Sequence, residues 1–309
     1  MDFSKIKTFP ISQRTHKVTR ANLGSMPDSD SFAGLYDSLP DVLASRDIKT
    51  LAKAIARAAK DKKEVILAMG AHSIKCGLNP VIIGLMERGI ISAIALNGAG
   101  AIHDFEMAYI GETSEDVAET LRDGSFGMVE ETGRILNQAL KAGVTAGLGA
   151  GEAIGKHIAE GGYDNADLSI LVAAHKLGID VTVHIAIGTD TIHVHPEADG
   201  AVLGAASYRD LERFTDHIAR LESGVYINLG SAVLLPEVFL KALSAVRNMG
   251  HDVTRFTTAN MDMVRHYRPS ENVLKRPGLS GATAIHLSGH HEIMLPLLAA
   301  AIELELKRI

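Results

Sequence analysis

Strand-length apolar runs separated by helix-length segments recur along most of this chain, and that alternation constrains the fold more than any other feature. The runs lie at 64–69 (EVILAM), 90–96 (IISAIAL), 180–187 (DVTVHIAI), 224–229 (GVYINL), 253–258 (VTRFTT) and 282–287 (ATAIHL). Most are rich in Ile, Val or Thr, as strands prefer. Between them the spacing predicts helices over 47–60, 80–88, 125–142, 168–177, 208–222, 236–248 and 291–307; in the first, Ile48, Leu51, Ile55 and Ala58 share one face. The alternation predicts an α/β chain with a doubly wound, mostly parallel sheet covered by helices on both faces. Residues 114–156 contain no convincing strand and read as a helical excursion between strands. Residues 1–35 lack sustained periodicity and read as an N-terminal arm, leaving 36–309 as one domain, with a division near residue 160 as the alternative.

Composition narrows the function classes. With 46% hydrophobic and 22% charged residues the chain can bury a sizeable core. Its formal net charge is −6, and no stretch mixes clustered base with aromatics, so neither nucleic acid nor an acidic membrane surface is an expected partner. The polar N-terminus and the lack of a long uninterrupted apolar run predict a soluble, cytoplasmic protein. The single cysteine, Cys76, excludes an intrachain disulfide and a cysteine-based metal cluster, and packing is its expected role. Any metal would need His and carboxylate ligands.

In an open α/β sheet, ligands bind outside the carboxyl ends of the strands. The residues just after the apolar runs are Gly70-Ala71-His72-Ser73, Asn97-Gly98-Ala99-Gly100 with His103 and Asp104, Gly188-Thr189-Asp190 with His193 and His195, Gly230-Ser231-Ala232, and Ser288-Gly289-His290-His291. Glycine there lets backbone approach a phosphate, and the helix that follows offers free N–H groups and a positive dipole end. A nucleotide cofactor is one reading; tight strand-to-helix turns are the other. Residues 98–103 have two glycines of a dinucleotide fingerprint but His103 at the third position, residues 150–157 fail the phosphate-loop pattern, and no GxSxG elbow occurs.

The chain has 14 histidines, and those at the strand tips stand out. In an extended segment His193 and His195 would share a face, as metal ligands or paired substrate contacts require. Histidines there suit a metal, acid–base work or an anion. Asp104, Glu106 and Asp190 would add oxygen ligands or a base, although Asp104 could merely cap the helix that follows. His16, His157, His217, His251 and His266 read as surface or cap residues, and His175 and His184 as buried ones.

The order of these tips resembles the deoxyhypusine synthase family over residues 61–298. Gly70–Ile74 is similar to that family's first dinucleotide-contacting turn, and Asn97-Gly98-Ala99-Gly100 with Asp104 to its TAGG-type turn and trailing acids. Gly188-Thr189-Asp190 resembles a T-D-G-S segment, 229–233 a GGGV turn and 279–282 an S-G-A segment. The resemblance implies a doubly wound NAD-binding fold, assembled as a tetramer from tight dimers with sites at the subunit interface. It implies cofactor contacts at Gly70, Ala71, His72, Ser73, Ile74, Asn97, Gly98, Ala99, Asp190 and Gly230.

In that family NAD accepts a hydride from spermidine, and a lysine after the S-G-A segment captures the aminobutyl group as an imine. This chain has no lysine between Ser280 and Leu295 and places His290 and His291 near the expected position; imidazole cannot form an imine. By the same resemblance His103 and His195 stand where polyamine-contacting acids would be, which argues against a polyamine and for a small, anionic substrate. The expectation is an NAD-dependent oxidoreductase or transferase that is not a deoxyhypusine synthase, with His103, His195, His290 and His291 as candidate catalytic residues. Two alternatives stand beside it: a hydrolase or lyase using a divalent transition metal held by the histidines, and a non-catalytic nucleotide sensor.

Overall fold

The computed structural model describes residues 1–309. Six parallel strands, β1 (Val65–Met69), β2 (Ala93–Asn97), β3 (Asp180–His184), β4 (Val225–Leu229), β5 (Thr257–Asp262) and β6 (Thr283–Ser288), form one sheet in the order β3-β2-β1-β4-β5-β6. The strand order reverses between β1 and β4, which pair directly in parallel, and this is where an open sheet leaves a crevice at its carboxyl edge. The predicted fold class is the observed one.

Alternation within each strand explains the two layers. Val65, Leu67 and Met69 of β1 and Val225, Ile227 and Leu229 of β4 face the larger core, packed beneath the helices Leu43–Lys60, Gly98–Ile110 and His291–Arg308. Ile66, Ala68, Ala93 and Ala95 face the other side with Tyr226 and the helices Gly200–Ala219 and Leu234–Asn248. The small alanines leave room there for bulky rings: Tyr226 stacks on Phe239 with ring centroids 3.8 Å apart, a contact that adds about 1 kcal/mol beyond the area it buries.

Most element boundaries shift by a few residues from those predicted; the helix expected from 208 begins at Gly200, and among the strands β5 shifts most. The apolar run at 253–258 marks the approach, where Val253 and Phe256 pack into the core, whereas the strand itself continues through Asn260 and Asp262. The buried Asn260 is tolerated because partners exist in register: Asn228 Nδ2 donates to Asn260 Oδ1 at 2.7 Å, and Asn260 Nδ2 lies 3.3 Å from His286 Nδ1. The stretch 114–156 is helical, as expected, with helices at Val117–Thr120, Glu130–Thr145 and Ala150–Glu160. Residues 1–31 contain three short 3₁₀ turns and no buried side chain; Tyr36 is the first.

At the amino ends of the strands a polar clasp ties three of them to one helix. His217, from the Gly200–Ala219 helix, lies 3.2 Å from Glu64 Oε1, just before β1, and 2.9 Å from Asp180 Oδ2, the first residue of β3. Ser92, just before β2, donates to Glu64 Oε2 at 2.6 Å, and Arg220 Nε donates to Glu64 Oε1 at 2.9 Å. His217 is thus a buried structural residue and not the surface or cap residue its isolated position suggested, while His175 is exposed. His184 is buried, and that burial pushes its imidazole down to about 4.

Candidate functional site

A cavity of about 560 Å³ opens at the carboxyl ends of β2 and β3, within the size range of small-molecule sites. One wall is the Gly98–Ile110 helix, presenting Ala99, Ile102, His103, Glu106 and Tyr109. The second is the segment 112–132, and the third is the turn Thr189-Asp190-Thr191 after β3. Asn97 starts the first wall by accepting the Gly100 N–H at 3.0 Å, and Gly111, in the left-handed region at φ 74°, ends it.

The lining is acidic. Glu106, Glu112, Glu115, Glu131 and Asp190 border the cavity, against Lys75 as its one lysine or arginine. A concavity lined by one sign of charge attracts the opposite sign. That lining is opposite in sign to what the expected anionic substrate would need, and three of its five acids, Glu112, Glu115 and Glu131, come from the 112–132 segment.

His103 and Glu106 share a relay through that segment. The Thr113 hydroxyl donates to Glu106 Oε2, so the 2.6 Å contact between His103 Nδ1 and Thr113 Oγ1 must be donated by His103. Its Nε2 is then the unprotonated nitrogen of the neutral ring. Burial alone would raise the Glu106 carboxyl, but hydrogen bonds from His103, Thr113 and Thr132 outweigh it and hold the group below the usual carboxylate range.

Asp190 forms the opposite wall. Its Oδ2 sits where a Cβ on Gly98 would be, so Gly98 is required by a close approach, and the Ala99 N–H faces the same carboxylate. The N-terminus of the Gly98–Ile110 helix, expected to face a phosphate, is thus already occupied by a carboxylate. Oδ2 has no hydrogen-bond partner, and burial pushes this carboxyl up against the opposing effects of His193, Thr189, Ala99 and His103.

The four candidate catalytic histidines do not converge. His103 lines the cavity, whereas His195 packs against Gly133, and His290 is exposed beside Glu292. His291 is 1% exposed and lies over Gly230, with its ring centroid 5.4 Å from that of His72. His193 and His195 do not share a face as an extended segment would require, because residues Thr191–Val194 form a 3₁₀ turn. No three His, Cys, Asp or Glu side chains are arranged to hold a metal ion, which removes the basis for the expected metal cluster. Asp104 is neither ligand nor base: buried, it accepts from Asn79, Ser169 and the backbone of Ile170 and Leu171, capping the distant helix Ile170–Leu177. Burial pushes its carboxyl up to about 6 against those bonds.

The remaining cofactor candidates cluster at the reversal point between β1 and β4. Gly70 packs so closely on the Gly230 carbonyl that a Cβ there would meet it at 2.6 Å, and Ser73 Oγ donates to the Gly70 carbonyl at 2.9 Å. Both ring nitrogens of His291 are buried there without partners. None of these residues lines the acidic cavity, which the helix His72–Lys75 reaches through Lys75. Thr113, Glu115, Glu131 and Thr132 escaped sequence reading; the signal that marks them is the concentration of acids at 112–131.

No protein-family model and no curated protein matches this chain. Among solved structures it is similar to a provisionally named LOR/SDH protein from Methanococcus maripaludis, at 16% identity over 98% of this chain and 76% of that one, with TM-score 0.54. A provisionally named deoxyhypusine synthase from Entamoeba histolytica matches at 10% identity over 90% and 95% of the two chains, with TM-score 0.52. The complex of AgrE with ornithine and NAD+ matches at 14% identity and TM-score 0.55; the match covers 88% of this chain but only 36% of AgrE. The chain likewise spans about a third of the cyanobacterial arginine dihydrolase ArgZ. At these identities the likeness concerns the fold. The chain shares the α/β fold of these proteins, the provisionally named deoxyhypusine synthase among them.

Proposed function

We propose that this protein is an NAD-dependent enzyme that oxidises a small amine-bearing cation in the acidic cavity. The observation that carries the substrate class is the lining of five carboxylates against one lysine. The complex of AgrE with ornithine and NAD+, one structural neighbour, supports the same direction. The reversal point is where an open sheet of this order takes a nucleotide, and the partnerless nitrogens of His291 beside it offer a hydrogen bond. Bound there, NAD supplies the hydride acceptor. Glu106, Glu115 and Glu131 attract the ammonium, and His103, with Nε2 unprotonated, takes a proton from it, since an ammonium must become an amine before its carbon can give up hydride. Loss of hydride from the amine carbon leaves an iminium, and with no lysine between Ser280 and Leu295 to capture it, that iminium is itself the product released.

Calorimetry with NAD and NADH, followed by ornithine or 1,4-diaminobutane in the presence of NAD, tests this reading. Saturable nucleotide binding and salt-sensitive amine binding are expected, with NADH formed on mixing. Absence of nucleotide binding overturns it. Binding of both without NADH formation favours a second reading, a ligand sensor, to which the absence of lysine between Ser280 and Leu295 lends support.

A further inference from the structure

His193 stands directly behind the wall carboxylate of the cavity. Its side chain is 2% exposed and that of Asp190 5%, and His193 Nε2 lies 3.7 Å from Asp190 Oδ2. Neither atom has a hydrogen-bond partner, so two buried polar atoms that each need one face each other. The other ring nitrogen is committed: Nδ1 accepts the N–H of Gly188 at 3.1 Å and of Asp190 at 3.2 Å. Two donors aimed at Nδ1 forbid a proton there, so the ring carries its proton on Nε2, toward the carboxylate.

We propose that His193 is the positioning residue of Asp190: locked by the Gly188 and Asp190 backbone, it presents Nε2–H to Oδ2 and thereby fixes the orientation and the ionised form of the carboxylate that meets the ligand. This rests on the acidic cavity being the ligand site. The arrangement divides the work between two oppositely wired histidines. His103 has its proton on Nδ1 and a free acceptor at Nε2, whereas His193 has its acceptor buried and its donor turned to the wall. The groups that face Asp190 are His193 from its own turn, Thr189 beside it, and Ala99 N–H and His103 from the Gly98–Ile110 helix. Of these, His193 alone is shut away from the cavity, so it acts on the carboxylate without meeting the ligand.

Two substitutions separate wiring from packing. His193→Asn keeps an acceptor near Nδ1 but removes the donor, and His193→Gln restores a donor near Nε2. Carbon-detected titration of the Asp190 carboxyl, on the ligand-free protein, should show its midpoint rise by about one unit in His193→Asn, a tenfold change in proton affinity, and return toward wild type in His193→Gln. An unchanged midpoint in a folded His193→Asn protein overturns the proposal. Should that variant fail to fold, nitrogen NMR of the wild-type imidazole decides: the Nε2–H tautomer supports the proposal, and the Nδ1–H tautomer overturns it. No ligand enters these measurements, so they stand apart from failure of the amine-oxidation reading, which the calorimetry would show.

Discussion

The two ends of the sheet treat charge in opposite ways. At the amino ends of β1, β2 and β3, Glu64, Ser92, Asp180, His217 and Arg220 satisfy one another across three strands and a helix. At the carboxyl ends, Asp190 Oδ2, His193 Nε2 and both nitrogens of His291 are buried without partners, and five carboxylates crowd one cavity. Buried polar groups are normally paired, because leaving one unsatisfied costs about 1–3 kcal/mol. One end thus holds a network whose members pair with one another, and the other gathers the carboxylates to which the proposed function assigns a ligand.

The contrast breaks most readily at the clasp. Replacing His217 by alanine removes hydrogen bonds to two carboxylates and should destabilise the fold by about 2–3 kcal/mol, read as a fall in denaturant midpoint with nucleotide and amine affinities unchanged. Its pH dependence sharpens the same point. Although burial pushes Glu64 up, bonds from His217, Ser92 and Arg220 outweigh it and hold the carboxyl at about 2 against an ordinary 4.5. That stability is present above pH 4.5 and is lost as pH falls toward 2. His217 is raised above its ordinary 6.5 by Glu64 and Asp180, which overcome the opposing burial. Its contribution is complete below pH 6.5 and is lost as pH rises through the folded-state value. The clasp should thus be strongest between about pH 4.5 and 6.5, and a wild-type minus His217→Ala stability profile would show a maximum there.

At the other end the expected losses are of function. Asp190→Asn removes a desolvated charge, so thermal stability should hold or rise while amine affinity falls by about thirtyfold or more. A large drop in melting temperature would instead make Asp190 a structural cap. Glu131→Gln, at the cavity's outer segment, should weaken amine binding by no more than about fivefold, with the difference vanishing in high salt. His290, whose side chain is 66% exposed, should tolerate alanine within about 0.5 kcal/mol of stability and without loss of binding. A catalytic defect in that variant would bring the carboxyl edge of β6 into the site.

Much of the fold was legible because it depends on local periodicity. Apolar runs such as 64–69 and 224–229 become strands buried on both faces, and the glycines after them become the turns their spacing suggests. The predicted β5 is displaced because Asn260 looks unlike strand interior until Asn228 on the neighbouring strand supplies a partner. Similarly, Asp104 looks like a cap for its own helix, yet it caps one that begins 66 residues later. Such pairings depend on chain folding and leave no mark at short range.

Sequence alone thus determined the α/β class, the parallel sheet and the edge of that sheet where polar residues collect, because side-chain period and turn chemistry act over a few neighbouring residues. Tertiary structure decided which of those polar residues meet. It dispersed His195, His290 and His291, joined His103 to Thr113 and Glu106, and set His193 behind Asp190. It also decided the sign of the cavity: net charge in a segment such as 112–131 becomes a field at a point only when the chain folds its carboxylates around a common space.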